Sequence, residues 1–335
     1  SLGLSLQRAG RHQAAVEVFK RGVHLARINN GLYSAQQLPL LQGQINSYVA
    51  VGQYEQADER QHYMYRVQMR NLESGLSRAD AFMQQANWQY NAYQLALDEE
   101  GFGRLMSMWD LYRLALNDIV SREGENSPSL LPPLEGMLRT QYLIAAHRID
   151  GQASALDSYA GQQDQNRFVT YRSQSYRKGQ AVVIAMHEIE TAQHGEGSVD
   201  AVRSLVMLGD WMQWHGQDES ALETWQRAIG ELAGRDDAEQ VVARIFGEPV
   251  PLPDIEGMHR LPPAVPPGEG TLQVAFGVSP KGRVVDVERL DANDDINKAK
   301  ANRLLRTLRK TPFRPRFEAG EPVATERVEK AYDIR

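Results

Sequence analysis

The sequence predicts an all-α helical solenoid followed by a small α+β module, and three observations carry that expectation. Leu208-Gly209, Met212, Gly216, Ala221, Trp225 and Ala228 have the spacing of a two-helix hairpin, with small residues where backbones cross and a ring filling the space between. Leu2-Gly3, Leu6, Gly10, Ala15, Phe19 and Gly22 repeat the same intervals. Beyond Gly270 the apolar period drops from 3.6 to 2. A single hairpin cannot bury its own apolar face, so these units imply stacked neighbours.

Taken in order, the first hairpin runs to about Arg27, and a second helix pair opens at Leu38-Pro39, where proline in a first turn costs no hydrogen bond. Tyr48, Gly52, Tyr54 and Ala57 continue its register. Leu38-Pro39-Leu40-Leu41-Gln42-Gly43 is echoed by Leu131-Pro132-Pro133-Leu134-Glu135-Gly136, each after a Gly/Asn-rich loop. Between the echoes, Ala79 to Asp98 and Leu105 to Val120 read as amphipathic helices. From Tyr142 to about His194 the pattern stays helical, with breaks expected at Gly151, Gly161 and Gly179. Residues 1–247 therefore read as about six helical hairpins.

Seven of the 15 prolines fall between residues 247 and 270. Proline removes backbone donors and extends the residue before it, so residues 248–269 are expected to form a semi-rigid linker. Residues 270–335 then read as β-β-α-β. Leu272, Val274, Phe276 and Val278 alternate along a first strand, and Ser279-Pro280-Lys281-Gly282 turns into a second from Arg283 to Leu290. Asn293-Asp294-Asp295 caps a helix carrying Ala301, Leu304, Leu305 and Leu308 on one face, and a last strand follows from about Val323 to Ile334.

The hairpin spacing resembles the tetratricopeptide (TPR) repeat. The final module resembles the C-terminal domain of the TonB energy-transducer family, on the order Gly270-Thr271-Leu272-Gln273-Val274-Ala275-Phe276-Gly277-Val278, Gly282-Arg283-Val284-Val285-Asp286-Val287, Phe313-Arg314-Pro315-Arg316-Phe317 and Gly320-Glu321-Pro322-Val323. The Tyr-Pro element that transducers carry before the first strand is absent, Leu261-Pro262-Pro263 being the nearest sequence. The fold class expected is thus an all-α TPR-like helical solenoid with a TonB-C-like α+β (β-β-α-β) tail. That resemblance implies a periplasmic, envelope-associated protein whose last strand adds to an extended segment of an outer-membrane receptor. The chain begins inside a hairpin, which reads as a truncation, and a membrane anchor or signal would have to lie upstream.

Residues 255–335 carry 15 Lys and Arg against 12 Asp and Glu, whereas residues 1–254 carry 22 against 31. This asymmetry suggests two modules of opposite sign. No apolar run approaches the ~20 residues of a membrane span, and the absence of cysteine excludes disulfides and thiolate chemistry. His187-Glu188-Ile189-Glu190 lacks the histidine four positions on that a zinc-protease helix needs, and no phosphate-binding or nucleophile-elbow motif occurs. The expectation is a non-enzymatic adaptor with no cofactor and no metal.

Candidate partner-binding residues on the inner helical face are Gln42, Asn46, Asn87, Asn91, Arg139, Arg203, Asp210 and Gln213, because amides and guanidinium groups offer paired donors to a peptide. On the tail they are Val323, Thr325 and Arg327 of the strand and Arg303, Arg306 and Lys310 of the basic helix. The basic run from Lys298 to Arg316 competes as a solvated face, as a site for an acidic partner, or as a surface that docks on the acidic repeats of the same chain. Nucleic acid is disfavoured, since no aromatic interleaves before Phe313. The expected partner is a protein or peptide, with a TonB-type transducer contacting outer-membrane receptors as the alternative.

Overall fold

The computed structural model describes residues 1–72, 76–98, 100–148, 159–290 and 298–334, with no side-chain account of 76, 77 and 159–161. The chain divides into two compact units, the first Ser1–Thr140 with Ala146–Ser173, the second Gln141–Ala145 with Gln174–Arg335.

The first unit is helical: α1 (Leu2–Arg8), α2 (His12–Asn30), α3 (Leu38–Ala50), α4 (Tyr54–Asn71), α5 (Leu76–Gln94), α6 (Phe102–Glu123), α7 (Leu131–Ala146, which crosses the division) and α8 (Tyr159–Ser173). Neighbouring helices pack as α1·α2, α3·α4 and α5·α6 hairpins. The ring-into-glycine rule read from the sequence is physical. A Cβ on Gly3 or Gly43 would lie 2.6 or 2.5 Å from the buried Phe19 ring, and one on Gly136 would overlap the Tyr112 ring. The Phe19–Gly43 and Tyr112–Gly136 pairs have the same sequence separation, which is the structural content of the Leu-Pro…Gly echo.

The second unit continues with α9 (Ser175–His194), α10 (Val199–Trp214), α11 (Asp218–Leu232) and α12 (Ala238–Phe246). Gly209 of α10 receives Trp225 of α11, whose indole occupies the space a Cβ would need. Trp225 is 2% exposed and centres the core formed with Leu205, Ala221, Leu232 and Phe246. Gly161 and Gly179 do not break helices as expected. They lie inside α8 and α9, and Gly179 is there because the Trp211 ring occupies the place of its side chain. Gly151 falls outside the described residues, as do Asn293, Asp294 and Asp295.

The tail comprises β1 (Val250–Pro251), β2 (Ala264–Val265), β3 (Thr271–Val278), β4 (Val284–Arg289), α13 (Lys298–Lys310), β5 (Phe313–Arg314), β6 (Arg316–Glu318), β7 (Glu321–Val323) and β8 (Thr325–Asp333). Its main sheet has the order β2-β8-β3-β4, with antiparallel pairs throughout. Leu272, Val274, Phe276 and Val278 cluster with Ala301 and Leu308 of α13, as their alternation predicts. Three features differ from expectation, the first being that Val323 lies in β7, paired with β6 in its own hairpin, so the last strand is β8 from Thr325 to Asp333. The proline-rich segment supplies β1, paired with β5, and β2, paired with β8, and it places Leu261 in the tail core. Proline is tolerated there because both strands are two-residue edge elements. The last strand is consequently interior over Ala331 and Tyr332, which β2 covers, and is flanked only by β3 from Thr325 to Lys330 among the described strands.

Candidate functional site

A groove of about 670 Å³ in the first unit gathers four of the residues singled out by sequence: Gln42, Asn46, Asn87 and Asn91. Helices α3 and α5 present them. Asn87 and Asn91 are one turn apart, so they share a face, as do Gln42 and Asn46. Gln42 Nε2 donates to Asn46 Oδ1 at 2.9 Å, Gln84 Nε2 to Gln42 Oε1 at 2.8 Å, and Gln68 Nε2 to Gln84 Oε1 at 2.9 Å. This relay consumes acceptors and fixes orientation. Tyr112 Oη donates to Asn87 Oδ1 at 2.7 Å and accepts from Arg139 Nη2 at 3.2 Å, which ties a fifth predicted residue to the site. Arg139 also lies over Tyr90, 5.1 Å from its ring centre. The carboxamide nitrogens of Asn46, Asn87 and Asn91 have no hydrogen-bond partner among the described residues and open onto the groove.

Trp88 forms part of the groove wall and is anchored from below. Its Nε1 donates to Asp58 Oδ1 at 2.6 Å, and Asp58 also accepts from Arg104 at 3.0 and 2.8 Å. Arg104 reaches Asp98 and Gln89 as well. Burial would raise the Asp58 carboxyl, but hydrogen bonds from Arg104 and Trp88 outweigh it and hold the group below the usual carboxylate range. The network joins α4, α5 and α6 beneath the groove. Sequence reasoning missed it, because Asp58 and Arg104 are 46 residues apart and neither lies in a motif. Gln84 was legible, since it shares the α5 face with Asn87 and Asn91 at intervals of three and four.

The other predicted inner-face residues have a different fate. Asp210 and Gln213 on α10 are 3% and 2% exposed, and the tail of the same chain covers them. Arg314 Nη1 donates to Asp210 Oδ2 at 2.5 Å, Trp225 Nε1 to Asp210 Oδ1 at 3.2 Å, and Gln213 Nε2 to the Lys281 carbonyl at 2.8 Å. Gly282, at φ 67°, permits that approach, because a Cβ there would collide with the Phe313 carbonyl oxygen and lie 2.7 Å from Gln213 Nε2. Phe317 of β6 enters the core of α10, α11 and α12, 5.1 Å from the Phe246 ring centre. Arg283 grips Asp218 with both contacts at 3.0 Å. Asp210 and Gln213 therefore belong to an intramolecular interface rather than an open one. Burial lifts the Asp210 carboxyl to about 6 even with Arg314 beside it.

Arg203 is exposed and pairs with Asp200 at 3.6 Å. Val323 pairs with Arg316 in the β6–β7 hairpin, and Thr325 opposes Val278. Arg327 bonds Glu329 at 2.7 Å and Glu288 at 3.3 Å, while Arg303, Arg306 and Lys310 are exposed on α13. His187 is structural, its Nδ1 2.9 Å from the Ala201 carbonyl oxygen. Glu190, His194 and Asp200 place ligand atoms within 4.8 Å of one another. Glu190 already lies 3.4 Å from His194 and Asp200 3.6 Å from Arg203, and the histidine and aspartate are exposed, so each carboxylate has a surface partner. Among the described residues no helix is long and apolar enough to cross a membrane.

The hairpins and the ring-into-glycine packing define a TPR-like helical repeat chain carrying a small α+β tail. No family model and no curated protein matches the chain. Solved structures similar to it include the TPR-like repeats of a putative kinesin light chain from Podosopora anserina. One form has 16% identity over 72% of this chain and 92% of that one, with a TM-score of 0.44. A singly substituted form of the same repeats has 15% identity over 69% and 92%, with a TM-score of 0.45. BtubC from P. vanneervenii has 13% identity over 78% and 97%, with a TM-score of 0.34. At these TM-scores the similarities add nothing to what the hairpins themselves support.

Proposed function

We propose that the protein is a non-enzymatic protein-interaction adaptor whose α3/α5 groove holds an extended peptide segment. The observation that carries this is the row of unengaged carboxamide donors on Asn46, Asn87 and Asn91. Residues four apart on a helix are separated by about 6 Å along its axis, close to the roughly 6.7 Å between alternate residues of an extended chain. Asn87 and Asn91 thus match successive same-side carbonyls of a peptide, while Trp88, Met83 and Val49 offer apolar contact to its side chains. The chain itself exhibits the same chemistry where Gln213 binds the Lys281 carbonyl.

A displayed library of 12-residue peptides panned on the intact chain tests the reading. A common motif should emerge, and its binding should drop at least tenfold in Asn87→Ala/Asn91→Ala with the far-ultraviolet spectrum unchanged. Absence of enrichment, or a motif indifferent to both substitutions, would sink it.

A second reading rests on β8, whose side away from β3 carries no strand from Thr325 to Lys330 among the described residues. Strand addition there is the TonB-type alternative, in which the tail contacts an outer-membrane receptor in the periplasm. The location is inferred from the sequence resemblance alone. Protease access to a tag after Arg335 in spheroplasts tests it, and a protected tag would end the receptor reading.

A further inference from the structure

A second cavity, a cleft of about 860 Å³, is lined by the tail together with Ala243 and Arg244 of α12, and the groove reading does not use it. That volume is within the range of small-molecule sites. One wall is built from Pro249, Pro251, Pro253, Pro262 and Pro263. Prolines carry no N–H, so these five positions offer a ligand no backbone donor and present mainly ring carbon. Phe276, Phe313 and Tyr332 continue the apolar surface. Ligands matched to such walls concentrate their polar atoms at one end.

The charged groups of the cleft are mainly cationic: Arg244, Arg260 and Lys330, against Glu248 as the one acid of the lining, which also includes His259. Lys330 alternates with Val328 and Tyr332 along β8, which places an ammonium group on the face otherwise turned to the core. Its register partner is the buried Val274. Arg260 is pre-positioned, its Nη1 donating to the Lys310 carbonyl at 3.2 Å and its guanidinium 5.2 Å from the Trp214 ring centre.

An independent observation comes from Tyr332. The residue is 4% exposed and lines the cleft, yet its hydroxyl has no hydrogen-bond partner among the described residues. The hydroxyl spends its donor on no protein acceptor and lies in the cleft lining, so it can donate to an acceptor that a ligand delivers. Desolvation raises the phenol above its ordinary value, so it stays protonated and able to donate.

We propose that this cleft binds a single-tailed amphiphile with an oxyanion head, its chain against the proline and aromatic walls and its carboxylate or phosphate held by the cationic rim and the Tyr332 hydroxyl. A peptide is disfavoured by the donor-poor walls.

Calorimetric titration of the intact chain with sodium decanoate, decyl phosphate and decanol, each below its aggregation threshold, tests the site. At least one anion should bind one-to-one, and decanol should bind at least tenfold more weakly. The tighter anion identifies the head. Arg244→Gln/Lys330→Gln changes only exposed side chains and should weaken the anion at least tenfold with an unchanged melting temperature. Tyr332→Phe should weaken it several-fold. Absence of saturable binding by either anion, equal binding of decanol, or unchanged affinity in the double variant would overturn the proposal.

Discussion

The groove of the first unit and the α10 face of the second were expected to do the same job, and the chain uses them differently. On α3 and α5, Asn46, Asn87 and Asn91 are exposed, with carboxamide donors unspent. On α10, Asp210 and Gln213 are buried beneath the tail, engaged by Arg314 and by a backbone carbonyl. The contrast teaches that polar residues on the leading helix of a hairpin can hold polypeptide, and that a covalently attached segment fills one such surface. Part of the charge asymmetry of the sequence is used there, since Arg314 and Arg283 of the tail pair with Asp210 and Asp218 of the repeats.

The largest expected effect comes from breaking the occupied surface. Arg314→Ala leaves the Asp210 carboxylate buried without its guanidinium and should cost about 3–5 kcal/mol in urea unfolding. A cost under ~1 kcal/mol would mean that the tail is held by Phe317 and the backbone contacts, not by the ion pair.

The next effect is one of pH. Asp210 has its folded carboxyl at about 6 against an ordinary 3.8. Between those values the folded chain keeps a proton that the unfolded chain has released, so this group's contribution to stability falls as pH rises. At about 1.4 kcal/mol per unit, the change is on the order of 3 kcal/mol. His215 runs the other way, because burial pushes its imidazole down from 6.5 to about 4. Across that window the unfolded chain takes up a proton that the folded chain refuses, so stability rises with pH. The two slopes oppose each other over nearly the same range. Relative to the parent chain, His215→Gln should therefore lose stability between pH 4 and 6.5, and Asp210→Asn should gain it. Urea midpoints taken across that range check both, and parallel curves for all three proteins would refute the assignment.

The smallest effects sharpen the contrast most. Gln213→Ala removes the donor to the part-buried Lys281 carbonyl and should cost about 1 kcal/mol. Asn91→Ala, on the open surface, should change stability by no more than about 0.5 kcal/mol. Equal costs at the two positions would erase the distinction between a face covered by the tail and an exposed one.

Much of this was legible in the sequence, for reasons that are local. Gly3, Phe19, Gly209 and Trp225 announced hairpins because a ring can enter a helix–helix crossing only where no Cβ stands, and that requirement leaves a fixed spacing. The α5 face of Asn87 and Asn91 was visible because helix period alone puts them side by side. Gly179 misled because close packing and helix breaking call for the same residue, and only the position of Trp211 distinguishes them. Asp58 with Arg104, and Asp210 with Arg314, were invisible because their separations of 46 and 104 residues carry no periodic signal.

The sequence by itself determined the hairpins, the α+β tail and the chemical character of each face, since these follow from spacing, period and charge. Only the tertiary structure decided which face stays open and which one the tail closes. It also decided that the proline-rich stretch pairs with β8 and β5 and helps wall a cleft. Those outcomes depend on which distant segments meet, and that is set by the summed fit of many contacts rather than by any local pattern.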